Sequence, residues 1–80
     1  MRLDKYLKVS RLMKRRTVAN EACDVGRVSV NGKPARASYD VKIGDVIEIA
    51  FGQRTMKVRV AAVSEVVTKE KAAELYTVEA

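Results

Sequence analysis

The hydrophobic residues nearest the N-terminus recur with the spacing of a helix. Leu3, Tyr6 and Leu7 fall on one helical face at the i, i+3, i+4 positions, which predicts a first helix over about residues 2–10. Three basic side chains are left to face water or a ligand: Arg2, Lys5 and Lys8. A helix of only about nine residues is marginal in isolation, so packing must hold it in place.

A second helix is predicted over about residues 16–25. Its apolar stripe consists of Val18, Ala22 and Val25, widened by Ala19 and Cys23. The positions expected to stay outside are Asn20, Glu21 and Asp24. Gly26 stands where a left-handed C-terminal cap is expected. We expect Cys23 to be a core residue, because small residues at these positions allow close packing.

The period of the pattern changes to two after this glycine, which indicates strands. Residues 27–30 alternate and lead into Asn31-Gly32, the strongest short hairpin signal in the chain. Pro34 cannot donate a backbone hydrogen bond, so it restricts the returning strand to a short piece or a sheet edge.

Two longer strands and a short C-terminal element follow. Ile47, Ile49 and Phe51 share one face of a strand, residues 52–55 form a hairpin loop, and the next strand alternates over about residues 56–62. Thr68 is expected to cap one helical turn, before a last strand over residues 75–78.

Tyr6 and Phe51 are expected to fill the core. These elements predict a single α+β domain over residues 1–80, with two N-terminal helices packed on a small antiparallel β-sheet.

The positive charge is concentrated at one end of the chain. The net charge is +6, and residues 1–16 account for all of it, because they hold seven basic side chains and one acidic one. The remaining residues hold nine of each. Such concentration favours a polyanionic partner, above all nucleic acid. The alternative is a charged face that is merely solvated.

The sharpest clue within this segment is the run Lys14-Arg15-Arg16 at the start of the second helix. A helix N-terminus carries partial positive charge and free amide donors, so each cation there costs about 0.3–1 kcal/mol. An anion that docks at this end would make the arrangement favourable. Asp4, the one acid in the segment, either supports the first helical turn or orients Arg16 or a neighbouring arginine by an ion pair.

Several classes of function find no support. The chain has no histidine, which excludes Ser-His and Cys-His nucleophiles, and it shows neither metal-ligand spacing nor a phosphate-binding glycine motif. We therefore expect a binding protein that is not an enzyme and holds no cofactor or metal. Its single cysteine fits a reducing compartment, and no apolar run reaches the roughly 18 residues of a membrane span, so a cytoplasmic location is expected.

The motifs above, taken together, resemble a known family, the S-four RNA-binding domain or alpha-L motif. The resemblance covers about residues 2–50 and leaves a β extension over about residues 51–80. It rests on Arg2-Leu3-Asp4-Lys5, Leu7, Arg11-Leu12, Lys14, Arg16, Ala19, Gly26-Arg27-Val28, Val30-Asn31-Gly32, Val41 and Gly44-Asp45. Many members begin the second helix with a Ser-Arg pair, whereas this chain has Arg15-Arg16. The arginine of the pair is therefore present as Arg16, but the serine that could cap the helix is replaced by Arg15.

The length of the chain and its basic stretch are most similar to the standalone members of this family. These are the fifteen-kilodalton heat-shock protein and its short relatives in ribosome-associated quality control. The resemblance implies binding to the large ribosomal subunit, with contacts to rRNA and tRNA, and we expect the protein to be a monomer. It would stabilise peptidyl-tRNA on stalled, split ribosomes while a partner factor extends the nascent chain with a C-terminal tail.

The resemblance carries over Arg2, Asp4 and Arg16 first. With the charge pattern, the full set of expected RNA-binding residues is Arg2, Asp4, Lys5, Lys8, Arg11, Lys14, Arg15, Arg16 and Lys33. The alternatives are a general binder of structured RNA in ribosome assembly and a DNA-binding or protein-interaction module. Glu21 and Asp24 on the second helix would face DNA phosphates badly, which favours RNA.

Overall fold

Two helices come first in the chain, and five strands follow, with a short helical segment before the last strand. The computed structural model describes residues 1–65 and 67–79; residues 66 and 80, within the predicted β extension, lie outside the described residues. The elements are α1 (Leu3–Val9), α2 (Arg16–Asp24), β1 (Val28–Val30), β2 (Lys33–Pro34), β3 (Val46–Phe51), β4 (Arg54–Val60), α3 (Lys69–Ala72) with a 3-10 turn (Ala73–Leu75), and β5 (Tyr76–Val78).

The strands form one antiparallel sheet in the order β2-β1-β3-β4-β5. Ile47 stands opposite Val30 on one side and Val58 on the other, so the buried residues of three strands share one face. The helices cover that face and build one core with it: Leu3, Tyr6, Leu7, Ala19, Ala22, Cys23, Val28, Val30, Ile47, Ile49, Val58 and Val60. This arrangement confirms the expected α+β fold.

The first residues of the chain are held by a second segment. Residues 2 and 40 form an isolated antiparallel bridge, the Leu3 backbone N–H donates to the Tyr39 carbonyl at 2.8 Å, and the Val41 N–H donates to the Met1 carbonyl at 2.8 Å. Within α1, the buried Tyr6 hydroxyl donates to the Leu75 carbonyl at 2.7 Å. The first part of α1 is therefore held by residues 39–41 and by the backbone of Leu75.

The predicted hairpin at Asn31-Gly32 is confirmed. Asn31 has φ 53° and Gly32 has φ 84°, the two positive values of a type I′ turn. The Asn31 side chain also accepts a hydrogen bond from the Val46 N–H at 3.0 Å and donates to Asp45 at 3.1 Å. The turn is thus tied to the start of β3. Gly26, with φ 77°, adopts the left-handed conformation expected after α2.

The predicted stripe of α2 is wrong at two positions. Val18 and Val25 are 49% and 66% exposed, because α2 packs through its small residues Ala19, Ala22 and Cys23. The two valines lie about a quarter of a turn from the centre of that narrow face. Because these residues are small, α2 can approach the rest of the core closely. The larger valines beside this narrow face remain exposed.

One further expectation is wrong, and another is confirmed only in part. Phe51 is 44% exposed rather than in the core, because it is the last residue of β3 and lies at the hairpin tip opposite Arg54. Thr68 is the N-cap residue of the short helix α3, as expected, but its side chain makes no cap hydrogen bond. Among the described residues, no helix is long and apolar enough to cross a membrane.

Candidate nucleic-acid interface

A buried carboxylate in the first turn of α1 organises the basic segment. The Asp4 side chain is 3% exposed. Arg2 donates to both of its oxygens, from Nε at 3.1 Å and from Nη2 at 3.3 Å. Arg16 Nε lies 3.4 Å from Oδ2, and Asn20 Nδ2 donates to the same oxygen at 3.3 Å. We call Arg2, Asp4, Arg16 and Asn20 the Asp4 cluster.

The pKa of Asp4 shows how strongly these groups hold its charge. Burial by itself would raise this pKa, but hydrogen bonds from Arg2, Asn20, Arg16 and the Lys5 backbone N–H together lower it to about 2. In return, the hydrogen bond and the charge of Asp4 raise the pKa of Arg2. The carboxylate is therefore ionised at neutral pH, and an ion pair with Arg16 forms, as the second of the two readings of Asp4 expected.

The arginines of the cluster remain open to solvent. The side chains of Arg2 and Arg16 are 49% and 50% exposed, although both contact a carboxylate that is almost fully buried. Arg2 is held by the bridge to residue 40, and Arg16 is the first residue of α2. Two positive charges from distant points in the sequence thus share one negative charge and stand side by side at the surface.

The start of α2 carries the basic run that the sequence singled out. Arg15 occupies the N-cap position in an extended conformation without a side-chain cap hydrogen bond, and the first turn contains no acidic residue. Lys14, Arg15 and Arg16 are all exposed. The run therefore lies at a helix start, where its charges oppose the helix dipole unless an anion is present.

An apolar groove lies beside this helix start. Its volume is about 510 Å³, and it runs between the start of α2 and the end of β3. Its lining residues are Leu12, Met13, Lys14, Arg15, Val18, Ala22, Arg27, Ala50 and Phe51. We call it the α2–β3 groove. The exposed Val18 and Phe51, which the sequence placed in the core, are both part of its wall.

The other expected RNA-binding residues lie outside the Asp4 cluster. Lys5 Nζ forms an ion pair with Glu65 Oε1 at 3.1 Å, an exposed contact of small energetic value. Lys8 and Arg11 are exposed on and just after α1. Lys33 is exposed on the edge strand β2, so the chain fold does not bring it into the cluster.

Sequence reasoning missed three residues of this surface. Asn20 was expected to stay outside, yet it is partly buried and bonds to Asp4. Its position four residues after Arg16, one helical turn away, was the available signal. Arg27 and Phe51 border the groove through contacts between α2 and the sheet, which no local pattern reveals.

The lone cysteine has no part in the surface chemistry. Cys23 is buried in the core, as expected, and burial, followed by the charges of Asp4 and Asp24, raises its pKa to about 11. Within residues 1–65 and 67–79, no cluster of three or more acidic, cysteine or histidine side chains is placed to hold a metal ion.

Comparison with known proteins places this geometry in a family. Residues 1–47 match the family described as the S4 domain. The "RQC P-site tRNA stabilizing factor" of Bacillus subtilis is 54% identical over 78 residues, which covers 98% of this chain and 91% of that protein. Its counterpart from Halalkalibacterium halodurans is 55% identical, with coverage of 98% and 89%.

The fold has a match among solved structures as well. Heat Shock Protein 15 of Vibrio cholerae, described as trimeric, superimposes with a TM-score of 0.93 at 31% identity, covering 100% of this chain and 82% of that one. The sequence resemblance and the expected fold are both confirmed: this chain belongs to the S4 domain family.

Proposed function

We propose that this protein binds RNA on the large ribosomal subunit in ribosome-associated quality control. In this role it contacts rRNA and tRNA and stabilises peptidyl-tRNA on stalled, split ribosomes while a tail-elongating factor extends the nascent chain. The names of the Bacillus and Halalkalibacterium relatives, which match nearly the whole chain, support the assignment to tRNA and quality control.

The observation that carries the proposal is the Asp4 cluster. An arginine guanidinium matches the geometry of a phosphate through two parallel hydrogen bonds. Arg16 contacts Asp4 through Nε, which leaves its two terminal nitrogens for a ligand. Because Asp4 already holds both arginines in place, little side-chain entropy is lost when they bind a phosphate. The cluster is suited to the sugar-phosphate backbone rather than to base edges.

The surface of α2 favours RNA over DNA. A helix that reads the major groove exposes residues that contact bases along its length, whereas α2 exposes Glu21 and Asp24. These acids would lie close to phosphates in a DNA groove. Structured RNA is recognised mainly by shape and backbone contacts, which need only the basic end of the helix. We expect the protein to act in the cytoplasm as a monomer, by binding alone and without a cofactor.

Charge reversal at Arg16 tests the proposal. Arg16→Glu places a carboxylate beside Asp4 and should abolish comigration with large subunits in gradient sedimentation of lysate. Lys69→Glu, a matched reversal at an exposed position on α3, should leave sedimentation unchanged. Circular dichroism checks that both variants are folded. Equal loss in both variants, or none in Arg16→Glu, contradicts a localised RNA site at the cluster.

A further inference from the structure

The α2–β3 groove exposes apolar side chains among basic ones. Phe51 and Val18 are each nearly half exposed, although an isolated domain gains by burying such residues. A phenyl ring that forms the wall of an open groove offers a face on which a flat aromatic group can stack. The groove volume of about 510 Å³ lies within the range of roughly 300–1,000 Å³ found for sites that hold small molecules.

The charges at its rim indicate what occupies it. Lys14, Arg15 and Arg27 line the groove, and no acidic side chain of the described part of the chain belongs to its lining. None of these three cations lies within 4.0 Å of a carboxylate oxygen among the described residues. A protein segment that docks by apolar contact alone has no need of three unpaired cations. An apolar floor with a cationic rim is complementary to a nucleotide, whose base is flat and whose phosphates are anionic.

The start of α2 adds donors on the same side. Val18 is the third residue of α2 and also lines the groove. The N-terminus of α2, which has no side-chain cap, therefore lies at the edge of the groove. Backbone N–H groups of a first helical turn have no partner within the helix and can donate hydrogen bonds to phosphate oxygens. A phosphate at this edge would meet these donors together with the side chain of Arg15.

We propose that the α2–β3 groove binds one unpaired nucleotide of RNA. Its base stacks on Phe51 and packs against Val18, and the adjoining phosphates contact Arg27 and the start of α2. The inference rests on the proposed RNA-binding function and extends it. The Asp4 cluster grips the backbone of structured RNA, whereas the groove selects RNA in which a base is free to leave the stack.

Fluorescence of a base analogue tests the groove in the full-length chain. The probes are an RNA hairpin with 2-aminopurine in its loop and a fully paired RNA duplex of similar length. Stacking on Phe51 should quench the loop fluorescence on binding. Phe51→Leu, which keeps an apolar side chain at an exposed position, should weaken hairpin binding about tenfold and remove the quenching, because base–aromatic stacking is lost. Duplex affinity should stay within about twofold.

Two further variants make the result decisive. Arg27→Gln, also at an exposed position, should weaken hairpin binding more than duplex binding, whereas Val78→Ala, an exposed apolar residue on β5, should change neither. Unchanged hairpin affinity in Phe51→Leu and Arg27→Gln, while the wild type binds both RNAs, overturns the groove proposal alone and leaves a protein partner as its occupant. Failure of the wild type to bind either RNA overturns the proposed function itself.

Discussion

At the scale of the residue, the charge of Asp4 has two effects: it stabilises the folded state, and it holds two exposed arginines in place. Because its folded-state pKa of about 2 lies below the ordinary value of 3.8, the stabilising effect is fully present above about pH 5 and is lost as the pH falls through the folded value. The pKa difference corresponds to no more than about 2 kcal/mol, since solvent screens the half-exposed arginines.

Asp4→Asn should therefore remove an acid-labile part of the folding free energy. In urea unfolding between pH 5 and pH 2, the wild type should lose stability more steeply than the variant, and the two curves should converge toward low pH. Asp24→Asn, which changes an exposed carboxylate on α2, serves as the control and should follow the wild-type slope. Parallel curves for wild type and Asp4→Asn would show that the carboxylate is not stabilised by its arginine partners.

At the scale of the element, the end of α1 departs from the usual chemistry of helix ends. Ser10 is the C-cap, and the next residue, Arg11, has φ 61°, a left-handed conformation that glycine usually fills. The Arg11 N–H donates to the Lys8 carbonyl at 3.1 Å, so the conformation is part of the helix end. A residue with a Cβ is strained there by about 1–2 kcal/mol. Because Arg11 is exposed and carries a charge at this strained position, we expect it to contact RNA.

Arg11→Gly should accordingly stabilise the protein while weakening RNA binding. Arg11→Ala removes the same charge without relieving the strain, so it is the matched control. Chemical denaturation should show Arg11→Gly to be more stable than Arg11→Ala by about 1 kcal/mol, and both should bind RNA equally weakly. If the alanine variant is as stable as the glycine variant, the left-handed backbone carries no strain.

The sequence predicted the elements better than their contacts. Periodicity located α1, α2 and the Asn31-Gly32 hairpin, because these depend on spacing and on turn chemistry that is local in sequence. It failed for Val18 and Phe51, whose burial depends on how far the opposing layer extends. The same limit applies to the site: the charge excess was visible, but the partners of Asp4 meet only after α1 and α2 pack together.

At the scale of the whole molecule, the positive charge is distributed unevenly. The face of the sheet opposite the helices pairs its charges, with Lys57 Nζ 3.9 Å from Glu48 Oε1 and Arg59 bound to Glu79. The basic segment of residues 1–16 holds seven basic side chains and one acid, and four of its cations form no ion pair within the described residues: Lys8, Arg11, Lys14 and Arg15. An anionic ligand is therefore attracted toward one side of the molecule.

Salt titration of RNA binding should report this asymmetry. The logarithm of the binding constant should fall linearly with the logarithm of the salt concentration, by about 0.7–0.9 for each phosphate neutralised. Arg16→Gln should reduce the slope by about one contact, whereas Lys57→Gln should leave it unchanged. A salt-insensitive complex, or equal changes in both variants, would contradict a phosphate grip on the basic side.

The burial of Cys23 has a practical consequence for fluorescence labelling of this protein. Alkylating dyes react with the thiolate, and a core thiol with a pKa of about 11 presents almost none at neutral pH. The chain has no other cysteine. A cysteine introduced at an exposed position such as Lys69 would therefore take a fluorophore selectively, with the native core left intact, and would give a single-label reporter for following the domain on and off its RNA.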